Sequence, residues 1–284
     1  MPYAHPESLV STEWLAGHID RPEVRVVDAS FTLLGVTPTA QQHYAQRHIP
    51  SAVFFDIDAI SDHASPFPHM LPTPAAFATA VRRLGVDVGS TVVVYDTVGV
   101  FSAPRVWWSL RAMGHARVFV LDGGLKKWVA EGHPVEAGWR EAEHGEFKAH
   151  LSPGLVADVE SVRAALASGA AQVVDARSAM RFRGEAPEPR PGLRAGHMPG
   201  ARNVPWSQVV AADGTLAAPA QLMAAFEGAG VDPAEAIITT CGSGISASIL
   251  ALALARLGRE DIAVYDGSWT EWGSRADTPI ATGP

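Results

Sequence analysis

The chain is written twice. Val26-Val27-Asp28-Ala29-Ser30 returns as Val173-Val174-Asp175-Ala176-Arg177, and His48-Ile49-Pro50-Ser51-Ala52 returns as His197-Met198-Pro199-Gly200-Ala201. Val92-Val93-Val94-Tyr95-Asp96 answers to Ile237-Ile238-Thr239-Thr240-Cys241. Leu121-Asp122-Gly123-Gly124 with Trp128 answers to Tyr265-Asp266-Gly267-Ser268 with Trp272. The matched segments keep their order at separations of 144 to 149 residues. A spacing that long means a duplicated domain, because solenoid repeats run about 20–50 residues. Whatever one half folds into, the other must fold into as well.

Within the first copy, short β-rich runs alternate with helical patterns. Val24 to Ala29, Val53 to Phe55, Val92 to Tyr95 and Val118 to Leu121 read as strands. Ala40 to Arg47, Pro74 to Leu84, Ala103 to Met113 and Leu125 to Ala130 read as helices. Thr73 is placed to cap the Pro74 helix, with proline at its first position and Gly85 to stop it. The strands are continuous apolar runs, as expected where both faces are covered. The expected class is therefore α/β, two tandem domains, each a mostly parallel sheet flanked by helices. Gly, Glu and His residues break the alternation from about Pro134 to Val156. We place the domains at 1–138 and 156–284, with 139–155 as the linker.

Composition removes several function classes. At 47% hydrophobic and 18% charged residues the chain can bury sizeable cores. Its net charge of −8, with no Lys/Arg cluster, argues against nucleic-acid binding. One cysteine forbids an internal disulfide and a Cys-rich zinc site, and the 11 histidines show no metal-binding spacing, so neither metal nor cofactor is expected. The segment Met1 to Glu7 lacks a basic region followed by an apolar one, and no run approaches the roughly 18 apolar residues that span a bilayer. A soluble, cytoplasmic monomer is the expectation.

The two copies differ where chemistry would sit. The only cysteine, Cys241, ends a β-branched run and is followed by Gly242-Ser243-Gly244 and an apolar segment, Ser248 to Leu257, that reads as a buried helix. Strand, glycine loop and helix start aim backbone N–H groups and a helix dipole at the loop, which favours a thiol as its anion. The first copy has Asp96 at that place and so lacks the nucleophile. Four readings compete. Cys241 could be a buried packing residue. Gly242-x-Gly244-x-x-Ala247, with Asp266 after the next strand, could hold a dinucleotide, although it falls late in its domain. A cysteine phosphatase would need arginine at the sixth position after the cysteine, which is Ala247. The fourth is a cysteine that carries sulfur.

For the fourth reading the whole chain, from about Ser8 to Thr282, resembles the two-domain sulfurtransferases, which comprise the thiosulfate-using rhodaneses and the 3-mercaptopyruvate-using enzymes. The resemblance rests on Val26-Val27-Asp28-Ala29, His48-Ile49-Pro50-Ser51-Ala52, Asp122-Gly123-Gly124 with Trp128, and Asp266-Gly267-Ser268 with Trp272. Rhodanese proper carries two basic residues after its cysteine. The neutral Gly242-Ser243-Gly244 is similar to the mercaptopyruvate branch, while Ile245-Ser246 departs from that branch's usual Val-Thr.

The resemblance implies a set of site residues. Arg181 and Arg190, in a loop before the active-site domain's second strand, would bind the substrate carboxylate and keto oxygens, for which planar guanidinium is suited. Gly242, Gly244, Ile245 and Ser246 would supply the rest of the binding loop. Ser243, with His69 and Asp58 from the first domain, would form a relay that handles the proton near Cys241. The implied reaction takes sulfur from 3-mercaptopyruvate, or alternatively from thiosulfate, onto Cys241, and passes it to a thiol, reduced thioredoxin or cyanide. The non-catalytic alternative is a rhodanese-like thiol sensor or binding module.

Overall fold

The computed structural model describes residues 8–33 and 35–284; the segment 1–7, read above for a targeting signal, and Leu34 lie outside them. The first half runs β1 (Leu9–Val10), α1 (Thr12–Ala16), β2 (Val24–Asp28), α2 (Ala40–Gln46), β3 (Val53–Phe54), α3 (Pro74–Arg83), β4 (Thr91–Tyr95), α4 (Ala103–Ala112), β5 (Val118–Leu121) and α5 (Gly124–Ala130). The second runs β6 (Val156–Ala157), α6 (Val159–Ser168), β7 (Gln172–Asp175), α7 (Ala179–Phe182), β8 (Arg202–Asn203), α8 (Pro219–Gly228), β9 (Ile237–Thr240), α9 (Ala247–Arg256), β10 (Ala263–Tyr265) and α10 (Ser268–Trp272). Each half holds one five-stranded sheet, ordered β1-β5-β4-β2-β3 and β6-β10-β9-β7-β8, and every pairing is parallel. The two orders coincide when one copy is laid on the other. The edge strands β1 and β6 have no counterpart in the expected list, since two residues are too few to show a period.

Local chemistry sets the elements. The Thr73 hydroxyl accepts the N–H of Ala76, Pro74 opens α3, and Gly85 follows its end at φ +70°. All five residues of β4 and all four of β9 are buried, as central parallel strands require. Helices α4 and α9 pack against each other between the sheets. Every residue of α9 is buried, and so is every residue of α4 except Arg111. One apolar core consequently runs through both halves, with a smaller cluster on the outer side of each sheet. The stretch 139–155 lies along the first half. Phe147 is buried there, Arg82 Nε donates to its carbonyl at 2.7 Å, and Ser152 N–H donates to Ala112 at 2.7 Å.

The loop after β4 explains why the first copy is chemically closed. Asp96 Oδ1 accepts the N–H groups of Val98 and Gly99 at 2.9 and 2.8 Å. Its Oδ2 accepts those of Phe101, Ser102 and Ala103 at 2.9, 2.8 and 2.9 Å. Burial pushes this carboxyl up from its ordinary range, and the five N–H bonds pull the other way. The strand end thus forms an anion cradle that the chain fills with its own carboxylate. Asp96→Asn turns an amide NH2 toward these donors. We expect it to lower the unfolding free energy by about 2–4 kcal/mol, read as a lower urea midpoint at unchanged slope. An unchanged midpoint would show that the cradle contributes nothing.

Candidate active site

Cys241 follows the middle strand β9 at its carboxyl end, where open parallel sheets place their ligands. Its N–H donates to Ser268 Oγ at 3.3 Å, and the first amides of α10 hold the loop: Trp269 N–H donates to the Cys241 carbonyl and Thr270 N–H to that of Gly242, both at 2.9 Å. In the first copy the corresponding loop spends five amides on Asp96. Here, among the described residues, the N–H groups of Ser243, Gly244, Ser246 and Ala247 donate to no protein acceptor. The cradle has the same origin in both copies, and in this one no carboxylate of the chain fills it.

Cys241 is 2% exposed, so its burial fits the packing-residue reading as well. A cavity lies beside it. A space of about 390 Å³ is lined by Cys241, Gly242, Ser243, Ile245 and Ser246, by Arg181 and Arg190, and by first-half residues including Phe31, Leu33 and Phe101. Phe101 meets Trp206 of the second half edge-on, with ring centroids 5.2 Å apart. The cavity therefore lies between the halves, cationic at the arginines and apolar at these rings and side chains.

The arginines differ in their support. Arg181 stands on α7 and ion-pairs with Glu188, whose side chain is buried. Glu188 also pairs with Arg177 at 2.8 Å, and Arg177 pairs with Asp175 at 2.7 Å while its guanidinium lies 4.1 Å over the Trp269 ring. This ladder leaves Arg181 Nη2 so near the loop that a Cβ on Gly242 would stand 3.0 Å from it. Arg190 is half-buried; burial pulls its guanidinium down from its usual value, and attraction from Asp58 and Cys241 opposes that. With β6 counted, both arginines lie between the second and third strands of their domain, not before the second, and Arg181 is helical, not in a loop.

Two sequence expectations need correction. Gly244 does not line the cavity. It sits at φ +81°, and a Cβ there would come within 2.7 Å of Arg105 Nη1, so glycine is needed for backbone conformation and close approach. The relay also differs in one bond. His69 Nε2 lies 3.1 Å from Asp58 Oδ1, but its Nδ1 meets the Ser243 carbonyl oxygen at 3.3 Å, not the hydroxyl. The hydrogen bond from His69 is the main reason that the Asp58 carboxyl falls below its ordinary range. His69 is buried and holds φ +63°, a left-handed conformation rare for a residue with a side chain.

Asp266, which the dinucleotide reading would place on a ribose, is spent inside the protein: it pairs with Arg105 at 2.7 Å and accepts the Leu71 N–H at 2.7 Å. Glu188, Arg177 and Arg105 were missed in the sequence. Glu188 had a signal, an acid inside the Arg181 to Arg190 segment; Arg105 had none, because it is distant in sequence from every other site residue.

The rhodanese-like domain profile matches residues 11–131 and 158–275. The 3-mercaptopyruvate sulfurtransferase of Escherichia coli K12 is 48% identical over 272 residues, covering 95% of this chain and 96% of that protein. The thiosulfate sulfurtransferase of Rattus norvegicus is 43% identical over 285 residues, covering 97% and 96%. The crystal structure of SseA from Escherichia coli, described as a 3-mercaptopyruvate sulfotransferase, superposes with a TM-score of 0.85 at 45% identity, covering 92% of this chain and 98% of that one. The chain belongs to the rhodanese-like family, as a member with two such domains in tandem.

Proposed function

We propose that the protein moves a sulfane sulfur from 3-mercaptopyruvate, through a persulfide on Cys241, to a thiol acceptor. The observation that carries this reading is one cavity holding both halves of the requirement. A lone cysteine sits in a cradle of undonated amides, and Arg181 and Arg190 line the same space. A 2-oxo carboxylate presents the oxygens that two guanidinium groups bind, and its thiol carbon then reaches toward Cys241. Donors of both types occur among the relatives. The neutral Gly242-Ser243-Gly244 favours the mercaptopyruvate donor over the thiosulfate dianion.

In the first half-reaction the Cys241 thiolate attacks the donor sulfur. The S–S bond forms, the C–S bond breaks, and its electron pair leaves on carbon as pyruvate enolate, which the arginines stabilise. A proton added to that carbon completes pyruvate. His69, backed by Asp58 and held against the Ser243 carbonyl, is the group we assign to that proton, with the Ser243 hydroxyl in the cavity wall as its route. The Cys241 persulfide rests on the free loop amides. In the second half-reaction an acceptor thiolate, from a small thiol or reduced thioredoxin, attacks the outer sulfur and returns the Cys241 thiolate. Among the described residues no helix is long and apolar enough to cross a membrane, and we place the reaction in the cytoplasm on a monomer.

Two measurements test this. Mass spectrometry of the protein mixed with 3-mercaptopyruvate should show the gain of one sulfur atom, absent in Cys241→Ser, with a smaller gain from thiosulfate. A larger gain from thiosulfate would reverse the donor assignment, and none from either would favour a binding module. Arg181→Ala and Arg190→Ala should each raise KM for 3-mercaptopyruvate about 10- to 100-fold, as loss of a charge-assisted hydrogen bond does, and leave KM for cyanide within about twofold. Equal rises for both substrates would remove the carboxylate clamp.

A further inference from the structure

Two aspartates stand at matched strand ends, and only one of them meets a cation. In the second half Asp175, at the end of β7, takes a guanidinium. Arg177 Nε donates to its Oδ1 at 3.2 Å and to its Oδ2 at 2.9 Å, and Arg177 Nη2 donates to Oδ2 at 2.7 Å. In the first half Asp28 ends β2, and the residue two positions on is Ser30 instead of arginine. Both acids are buried. Asp28 Oδ1 accepts the Ser30 N–H at 2.8 Å, while Oδ2 has no partner in hydrogen-bonding geometry. The repeat keeps the acid and omits its counter-ion.

The groups packed around Asp28 supply no replacement. Tyr95 stands opposite it in the β2–β4 ladder, where its hydroxyl accepts the Ile49 N–H at 3.1 Å, and Phe54 stands opposite it on β3. Tyr44, from α2, donates its hydroxyl proton to the Ala52 carbonyl at 2.8 Å. Beyond Tyr44 lie Arg140, Glu136 and His48; the last two are 3.9 Å apart. The remaining charged neighbour is Asp96, itself buried. Five backbone N–H groups favour the Asp96 anion, against one for Asp28. Of two buried acids that repel each other, the one with fewer donors keeps the proton. Burial pushes the Asp28 carboxyl up to about 6, and repulsion from Asp96 adds to this against the pull of Ser30 and Tyr95.

We propose that Asp28 is a proton switch built into the first half: its neutral acid suits the socket that an ion pair fills in the second half, and its ionisation weakens the fold. A charge left buried without a partner is the costly state. Because one apolar core runs through both halves, the cost falls on the whole chain. The switch is independent of the sulfur-transfer reading.

An acid held above its unfolded value adds stability that is complete below that value and is lost as pH rises through the native one. For Asp28 the window runs from its ordinary 3.8 to about 6. Carboxylates held low by their partners, such as Asp58 and Asp158, weaken the fold on acidification in every variant. The readout is therefore the difference between wild type and Asp28→Asn at each pH. Asparagine keeps the shape and an oxygen for the Ser30 N–H, and it cannot ionise. In urea unfolding, the ratio of the wild-type unfolding constant to that of Asp28→Asn should rise about tenfold from pH 5 to pH 8 and level off above about pH 7. A ratio that stays constant, or falls, would overturn the proposal. A second measurement needs no variant to fold. In wild-type protein carrying carbon-13 at the aspartate Cγ atoms, the Asp28 resonance should titrate near pH 6. Titration at or below about pH 4, the value of a free aspartate, would overturn the proposal equally.

Discussion

Backbone amides at the end of a central parallel strand need a negative partner, and this molecule meets that need in two ways. After β4 the partner is covalent and permanent: the Asp96 carboxylate takes five N–H groups. After β9 the same turn carries a cysteine, and among the described residues four of the five equivalent amides have no protein acceptor, the fifth, of Ser248, donating to the Ile245 carbonyl. An aspartate at one strand end and a cysteine at the other separate a filled cradle from one that the chain does not fill. A carboxylate satisfies the cradle for good, whereas sulfur can leave as well as bind.

The rest of the site follows from setting these strand ends beside one another. The second half supplies the sulfur and the guanidinium groups, the latter braced by a charge ladder through Glu188, Arg177 and Asp175. The first half supplies His69, Asp58 and the apolar wall around Phe31 and Phe101. Neither half is complete, so the inert copy contributes more than support. Its own strand-end aspartate, Asp122, reaches across to Leu216 much as Asp266 reaches to Leu71, which makes the contact between halves reciprocal.

Much of this was legible in the sequence. Strict repetition of motifs, with apolar strands and capped helices, leads to two parallel α/β units, and the structure has that architecture in the same order. The edge strands Leu9–Val10 and Val156–Ala157 were not legible, because pairing with a neighbour defines them and two residues have no pattern. The loop motif alone places Gly244 on substrate; only three dimensions show Arg105 behind it. The His69 contact with a carbonyl in place of a hydroxyl is likewise a matter of a few ångströms that no spacing encodes. Residues close in sequence, such as Arg181 and Arg190, could be grouped beforehand. Those brought together by folding, such as Arg105 and Asp266, could not.

The seam between α4 and α9 makes each half depend on the other. Each of these helices is buried on nearly every side, because each is covered by its own sheet and by the other helix. A single copy standing alone would leave such a helix bare to water. In this chain each half supplies the cover that the other half's helix needs. That mutual cover does not require the two strand-end loops to be alike, and they are not: one ends in Asp96 and the other in Cys241.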